Sequence, residues 1–455
     1  MSEVHAIKFH KQSINTVGLD WIFAYPLPTS DSPFSLTPLS IMFPGKMMED
    51  QGCTVEYWDA RWDPPEMLDD YIREAKNIGV SAFTGHQCAY AADILERAKQ
   101  INPKIITHIG GHHARLCTED VKREPFVDQV WPNRSYHEHS FPFSKAAQRL
   151  WKRGDWQYLT SNGCPYACGF CALRSAWEPR GLDQVEREIN VLAELTGFKE
   201  VSFLDPNIGY HKHKIDGVTH RINRVERMKA IGSILKPLGI RWDGNVRSDY
   251  VDEEYTQALA DSGCYSLEFG AESGDDWFLK NVIKKGHGTS SIRNANRCMA
   301  GSGISIMNSF IKGCPGETRE QWLHTAEFID ELVAINPEAR VSCYRFTPYP
   351  GGPLYDCAVR GEGVERFDPP KTMREWGNMP LMVDPVYWTV GLNFRMDNTT
   401  KNFPGSDWAL IEPFVLEARR LWKERRPEDF AHSAEVERLI EFQIRKHNAQ
   451  VRAVA

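Results

Sequence analysis

Short apolar runs alternate with longer amphipathic ones twice along this chain, from Val17 to about Trp131 and again from Gln157 to Phe346. Consecutive parallel strands cannot be joined by a tight turn and need a crossover. A helix supplies it, so the pattern confines the chain to parallel α/β sheets. In the first series the predicted strands are Leu19–Tyr25, Val55–Trp58, Gly79–Thr84 and Lys104–Ile109, with helices over Pro38–Asp50, Pro65–Ala75 and Ala89–Gln100. Open sheets of this kind bind ligands at the carboxyl ends of their strands. The candidate loops are therefore Pro26–Thr37, Thr84–Ala89 and Gly110–Arg115. Residues 133–155, rich in Pro, Ser and His, read as a linker. The second series has strands Gln157–Ser161, Glu200–Leu204, Gly239–Asp243, Tyr265–Gly270, Ile304–Ile311 and Val341–Phe346. Helical stretches including Leu182–Leu195, Val251–Ala260 and Arg319–Val333 separate them. Six such βα units in succession imply a barrel or partial barrel, with its site at the C-terminal ends of the strands. Two further helices, Trp408–Arg426 and Ala434–Gln450, are expected to form a cap. The expected organisation is an open-sheet domain over 1–132, a linker over 133–155, a partial barrel over 156–350 and a cap over 351–455.

Charge narrows the partners. A net charge of −7 offers no basic field for a nucleic-acid backbone, so sequence-independent DNA or RNA binding is not expected. Met1–His10 lacks the apolar core of a signal peptide, and the most apolar region, Leu381–Leu392, is cut by Asp384. The expectation is a soluble cytoplasmic protein. In that reducing compartment the eleven cysteines should stay free or bind metal. Cys53, Cys264 and Cys343 stand singly in apolar segments and read as small core residues.

One group of cysteines is different. Cys164-Pro-Tyr-Ala-Cys168-Gly-Phe-Cys171 directly follows the first strand of the second series. Three thiolates in one loop can converge on a metal, and soft thiolates suit iron–sulfur clusters. A structural zinc site would need a fourth, distant ligand. Three ligands to a four-iron cluster leave one iron open for chemistry. Gly163 and Gly169 allow the loop to fold tightly.

The Cys-x₃-Cys-x₂-Cys spacing after a barrel's first strand resembles the radical S-adenosylmethionine (SAM) superfamily. That resemblance implies a [4Fe–4S] cluster on Cys164, Cys168 and Cys171, SAM chelated at the open iron, and an external electron donor of flavodoxin or ferredoxin type. It places Phe170 beside the adenine, and Asp205 and Asn207 near the amino group of the cofactor. Arg247, Glu268, Glu272, Ser273 and Gly313, at the following strand ends, complete the implied cofactor contacts. An open α/β domain ahead of the barrel resembles the cobalamin-binding subgroup. Gly110-Gly111-His112-His113 matches its Gly-Gly-x-His segment and nominates His112 and His113 for cobalamin. The chain departs from the subgroup's acidic turn, carrying Val127-Asp-Gln-Val-Trp131 there instead. Two functions follow from the resemblance: cobalamin-dependent methylation of a small, specialised-metabolite substrate such as an antibiotic precursor, or a cobalamin-free radical dehydration, elimination or rearrangement like that of aminoglycoside diol-dehydratases. Tyr344, Arg345 and Tyr349 are the acid–base candidates by position, beside Asp205 and Glu268. Arg174, Trp177 and Arg180 either shield the cluster or pack the helix start behind it.

Overall fold

The computed structural model describes residues 18–27, 36–131, 141–153, 155–173, 175–210, 212–215 and 218–379. The first series forms β1 (Trp21–Tyr25), α1 (Leu39–Glu49), β2 (Val55–Asp59), α2 (Pro65–Glu74), β3 (Asn77–Ser81), α3 (His86–Ile101), β4 (Ile106–Gly110), the short α4 (Gly111–Leu116) and α5 (Thr118–Val121), and β5 (Gln129–Val130). Its strands pair in parallel in the order β2-β1-β3-β4-β5. Then come α6 (Lys145–Trp151), β6 (Gln157–Tyr158), the two-residue strands β7 (Ser161–Asn162) and β8 (Glu178–Pro179), α7 (Leu182–Thr196) and β9 (Glu200–Phe203). A hairpin, β10 (Lys212–Ile215) and β11 (Val218–Arg221), precedes α8 (Arg224–Leu235) and β12 (Arg241–Asn245). The rest is α9 (Glu253–Asp261), β13 (Cys264–Glu272), the one-turn α10 (Asp276–Phe278), α11 (Thr289–Met299), β14 (Ser305–Lys312), α12 (Arg319–Ile335), β15 (Arg340–Arg345), α13 (Pro353–Arg360) and α14 (Met373–Asn378). The second sheet is parallel throughout, in the order β15-β14-β13-β12-β9-β6, the partial barrel expected from the sequence.

Residues 133–155 are not the irregular linker expected of them. The described part contains α6, whose Trp151 is fully buried in the core cluster that joins Phe43 and Tyr57 of the first domain to Tyr158, Phe203 and Trp242 of the barrel. Arg149 and Arg153 both reach Asp63 at 2.6 Å. A seven-residue helix is too short for its period to stand out in sequence, yet it fixes the two domains against each other. The first barrel strand is also shorter than expected. It stops at Tyr158, because the Thr160 carbonyl accepts the Arg180 N–H at 2.9 Å as the chain turns into the β7–β8 pair.

The segment after the barrel returns to the first domain. Thr372 and Glu375 cap α14 reciprocally. Trp376 then enters the core of the first domain with Met373, and Gly377 sits where a Cβ would come within 2.2 Å of the Ala89 side chain. Arg374 pairs with Asp93 at 2.9 Å and Glu96 at 2.7 Å. The first domain, whose α4 and α5 are stunted, is thus completed from the far end of the described chain. Trp376→Ala is expected to cost about 3–5 kcal/mol, as for other buried Trp truncations, seen as an earlier urea midpoint for this domain. The predicted helices at Trp408–Arg426 and Ala434–Gln450, and the apolar stretch Leu381–Leu392, lie outside the described residues. No described helix is long and apolar enough to cross a membrane.

Candidate active site

The cysteine loop is held from behind. Asp205, fully buried at the end of β9, accepts the Thr160 N–H at 2.8 Å, the Thr160 hydroxyl at 2.6 Å and the Ser161 hydroxyl. Burial pushes its carboxyl above the usual carboxylate range, and these hydrogen bonds oppose the shift. Asp205 therefore positions the loop rather than meeting a cofactor, because its oxygens are already engaged inside the protein. Gly163 has φ +82°, and a Cβ there would fall 1.8 Å from the Ala176 carbonyl oxygen. Gly169 donates to the Ile283 carbonyl at 2.7 Å and accepts the Leu354 N–H at 2.9 Å. The three thiols project from a loop fixed on both sides.

Burial raises the Cys168 and Cys171 thiols above the ordinary thiol range, and the neighbouring cysteines add to the rise. Lys285 counters it at both thiols, and Arg247 also counters it at Cys168. Three adjacent thiolates repel one another, and a bound metal core reverses that. Among the described residues, no three His, Cys, Asp or Glu side chains converge closely enough for a single ion. The three cysteines and their cationic neighbours fit a [4Fe–4S] cluster better than zinc.

Around this loop the structure gathers the nominated Glu272, Arg247, Asn207 and Phe170, together with Lys285, which sequence spacing did not reveal. Lys285 forms a buried ion pair with Glu272 at 2.6 Å. Glu272 follows an irregularity in the β13–β14 register and has φ +66°, a left-handed conformation that costs energy for any residue but glycine. Arg247 lies over the Tyr166 ring at 3.6 Å and bonds Asp249 at 2.9 Å and the Lys285 carbonyl at 2.7 Å. The Asn207 oxygen accepts the Arg247 N–H at 3.2 Å, while its buried Nδ2 has no partner among the described residues. Phe170 packs against the apolar cluster that includes Phe310 of β14, Phe328 of α12 and Leu354 of α13, with Gly352 close against its backbone.

Other nominated residues are engaged in the frame. Ser273 bonds Thr325 at 3.2 Å, which ties the end of β13 to α12. The Gly313 N–H donates to Glu317. Arg180 pairs with Glu188 at 3.0 Å inside the protein, and Trp177 packs edge-on against Tyr210, so both belong to packing. Arg174 lies outside the described residues. Glu268 accepts the Ser309 hydroxyl, and burial raises its carboxyl. Tyr344, on β15, is within reach of Ser309 and Ser342, and burial pushes its phenol up to about 12. Burial also pushes Tyr349 up to about 12. Arg345 closes β15 opposite Lys312.

Glu317 supplies a pH handle. Burial lifts its carboxyl from 4.5 to about 7. The folded state therefore holds the proton more tightly than the unfolded one, and the associated stability is complete at low pH. It is lost as pH rises through about 7. Glu317→Gln is expected to raise stability at pH 8 by up to about 3 kcal/mol and to leave it unchanged at pH 4, as read from thermal melts at the two pH values.

On the first domain, Phe83 is 59% exposed at the end of β3 and stacks on His112, with centroids 4.9 Å apart and planes 14° from parallel. His113 does not share that face. It is fully buried, bonded to Thr84 at 3.1 Å and set edge-on to Trp376 at 5.5 Å. The expectation that both histidines face a ligand is corrected by the turn of α4, which sends neighbouring side chains in different directions. Burial lowers both rings to about 4 and keeps them neutral. Gly111 has φ +91°, and a Cβ there would meet the Ala82 oxygen at 2.7 Å, so the glycine is a requirement of backbone packing. In place of the acidic turn, Trp131 donates to His108 at 3.0 Å and packs on Trp21 and Phe23. Arg115 reaches from α4 to the Ala172 carbonyl at 3.5 Å, directly after Cys171, and Leu116 packs under Gly351. The strand ends of the first domain thus adjoin the cysteine loop.

Residues 158–329 match the Radical SAM superfamily model, and residues 29–132 match the B12 binding domain model. The chain joins a radical SAM domain to a B12-binding domain. Its curated relatives include an uncharacterized methyltransferase of Pyrococcus horikoshii, 28% identical and aligned over 44% of this chain and 41% of that protein. Bacteriochlorophyllide d C-12(1)-methyltransferase of Chlorobaculum tepidum is 26% identical over 46% and 43% of the two chains. A tRNA-2-methylthio-N(6)-dimethylallyladenosine synthase of Bartonella quintana is 27% identical over 60% and 59%. The chain spans about two fifths to three fifths of the length of these relatives. In fold it resembles the radical SAM methyltransferase TsrM of Kitasatospora setae, whose structure holds cobalamin and a [4Fe–4S] cluster. The TM-score is 0.58 at 16% identity, over 79% of this chain and 81% of that one. It also resembles the cobalamin-dependent enzyme OxsB, with TM-score 0.57 at 17% identity over 68% and 52%. The radical SAM domain carries a [4Fe–4S] cluster and SAM as its cofactors, and the cysteine loop fits the cluster.

Proposed function

We propose that this chain is a cobalamin-dependent radical SAM methyltransferase acting on a small molecule. The observation that carries this reading is Arg115 against the Ala172 carbonyl, which brings the Phe83–His112 face to the edge of the cysteine loop. When bound, the cluster supplies the electron that splits SAM, and cobalamin supplies a methyl carrier beside it. The exposed Phe83 ring and the neutral His112 offer a flat, largely apolar seat for a corrin. Lys285 supplies a buried cation for the SAM carboxylate in exchange for Glu272, and the free Asn207 Nδ2 a donor. Arg247, held by Asp249, screens the thiolates and braces Tyr166 in the loop. Glu268, Ser309 and Tyr344 form the polar patch available to a substrate, with Tyr349 and Arg345 following on the same strand end. Glu268, whose carboxyl burial raises above the usual range, suits hydrogen bonding to a hydroxyl or amide. The relatives that act on tRNA make transfer RNA the competing substrate class. The chain's net charge of −7 supports the small molecule.

The partly buried Trp131, standing where the subgroup has an acidic turn, favours a second reading in which the domain holds no cobalamin and the radical drives dehydration. Reconstitution with hydroxocobalamin followed by desalting separates the two. Retention of the cobalamin absorption band is expected, and its loss would remove the methyltransferase. Product analysis with a substrate panel and with unmodified transfer RNA then settles the substrate class.

A further inference from the structure

Between β9 and α8 the chain inserts the antiparallel hairpin β10–β11, which belongs to neither large sheet. Its strand sequences, KHKI and VTHR, contain three cations, two histidines and no carboxylate, on a chain of net charge −7. The register sets Lys212 opposite Arg221 and His213 opposite His220. Like charges directly opposite each other weaken a ladder. Among the described residues neither Lys212 nor Arg221 has an ion-pair partner, whereas Arg224, just beyond, is neutralised by Asp252. At its open end the hairpin sets Lys212 against Arg221 with no ion-pair partner among the described residues, at a cost to its own pairing that an anionic partner would relieve.

Its root adjoins the cysteine loop. Tyr210, two residues before β10, meets the Tyr166 ring edge-on at 5.9 Å, and Tyr166 lies between Cys164 and Cys168. Gly209 lets this turn close on Tyr250, where a Cβ would come within 2.9 Å. One layer of aromatic rings separates the base of the basic hairpin from the loop that holds the thiols.

We propose that β10–β11 is the docking surface of the electron donor: a small acidic electron-transfer protein of flavodoxin type seats on Lys212 and Arg221 and passes one electron across Tyr210 and Tyr166 to the cluster. The donor is oxidised by one electron, the cluster is reduced by one, and no proton or group moves. The inference rests on the cluster assignment above. Exposed charges steer such encounters and are screened by salt over roughly 8–10 Å, so the association is salt-sensitive.

The test uses the reconstituted full chain and a bacterial flavodoxin. Titration calorimetry is expected to show binding that weakens as salt rises, and Lys212→Glu with Arg221→Glu to weaken it by about tenfold or more at low salt. Flavodoxin-driven cluster reduction, followed by electron paramagnetic resonance, falls in parallel, while reduction by titanium(III) citrate is unchanged. Lys212→Gln with Arg221→Gln gives a smaller loss in the same direction and serves if the reversed-charge protein does not fold. Salt-independent binding by the wild type, or unchanged affinity in the neutralised pair, overturns the proposal. So does equal loss with both reductants in the neutralised pair. Labelled transfer RNA is the control for the other polyanion; if reversal releases it without touching flavodoxin, the hairpin is a nucleic-acid surface instead. Failure of titanium(III) citrate to reduce the wild type would strike the cluster assignment, not the hairpin.

Discussion

Alanine at Cys164, Cys168 or Cys171 is expected to abolish both the brown iron–sulfur absorbance and all reductive cleavage of SAM, whereas alanine at Cys298 or Cys357 leaves both intact. The loop leaves no substitute ligand. Asp205 pins its first residues, and Gly169 is fixed between Ile283 and Leu354, so a fourth side chain cannot slide into a vacated corner. The cysteine after the triplet, Cys264, is buried at the start of β13, at the opposite end of the strand from Glu272. Cluster binding needs all its thiolates, and losing one removes a covalent iron–sulfur bond, so partial activity is not expected. Anaerobic reconstitution, absorbance and quantitation of 5′-deoxyadenosine check each variant. Full absorbance in any one of the three would contradict the ligand set.

Lys285→Met is expected to destabilise the protein by about 3–5 kcal/mol, because it strands the buried carboxylate of Glu272. Both side chains of this pair are 7% exposed, and Glu272 cannot easily turn toward water from its strained position. Adding Glu272→Leu should restore most of the stability, as removing both charges of a buried pair usually does. SAM affinity behaves differently. It should fall about a hundredfold in the single variant, in line with the loss of a buried charge contact, and stay low in the double variant, since the cation is missing in both. Urea unfolding and equilibrium dialysis with SAM measure the two effects separately. Recovery of SAM binding in the double variant would show that Lys285 serves the fold alone.

These two experiments touch residues that differ in how they were found. The cysteines are adjacent in the chain, so their spacing carries their chemistry. Lys285 lies more than a hundred residues away and has no periodic or motif signal. It reaches the thiols only because a π-turn over Leu279–Ile283, followed by Lys284 at φ +54°, delivers it there. Phe83 was hidden for the same reason, and so was the reach of Arg115 beyond its candidate loop to Ala172, since both depend on where the other domain docks. His113 shows the opposite error, because a pair of adjacent histidines in a loop gives no sign of which one the next helical turn will bury.

The sequence alone determined the two parallel α/β units and the cysteine loop after the barrel's first strand, because each depends on local period or spacing. The tertiary structure decided that α6 and α14 weld the domains, that Asp205 and Ser273 brace the frame, and that the Phe83–His112 face adjoins the cysteine loop. Those relations join residues far apart in the chain, and only packing brings them together.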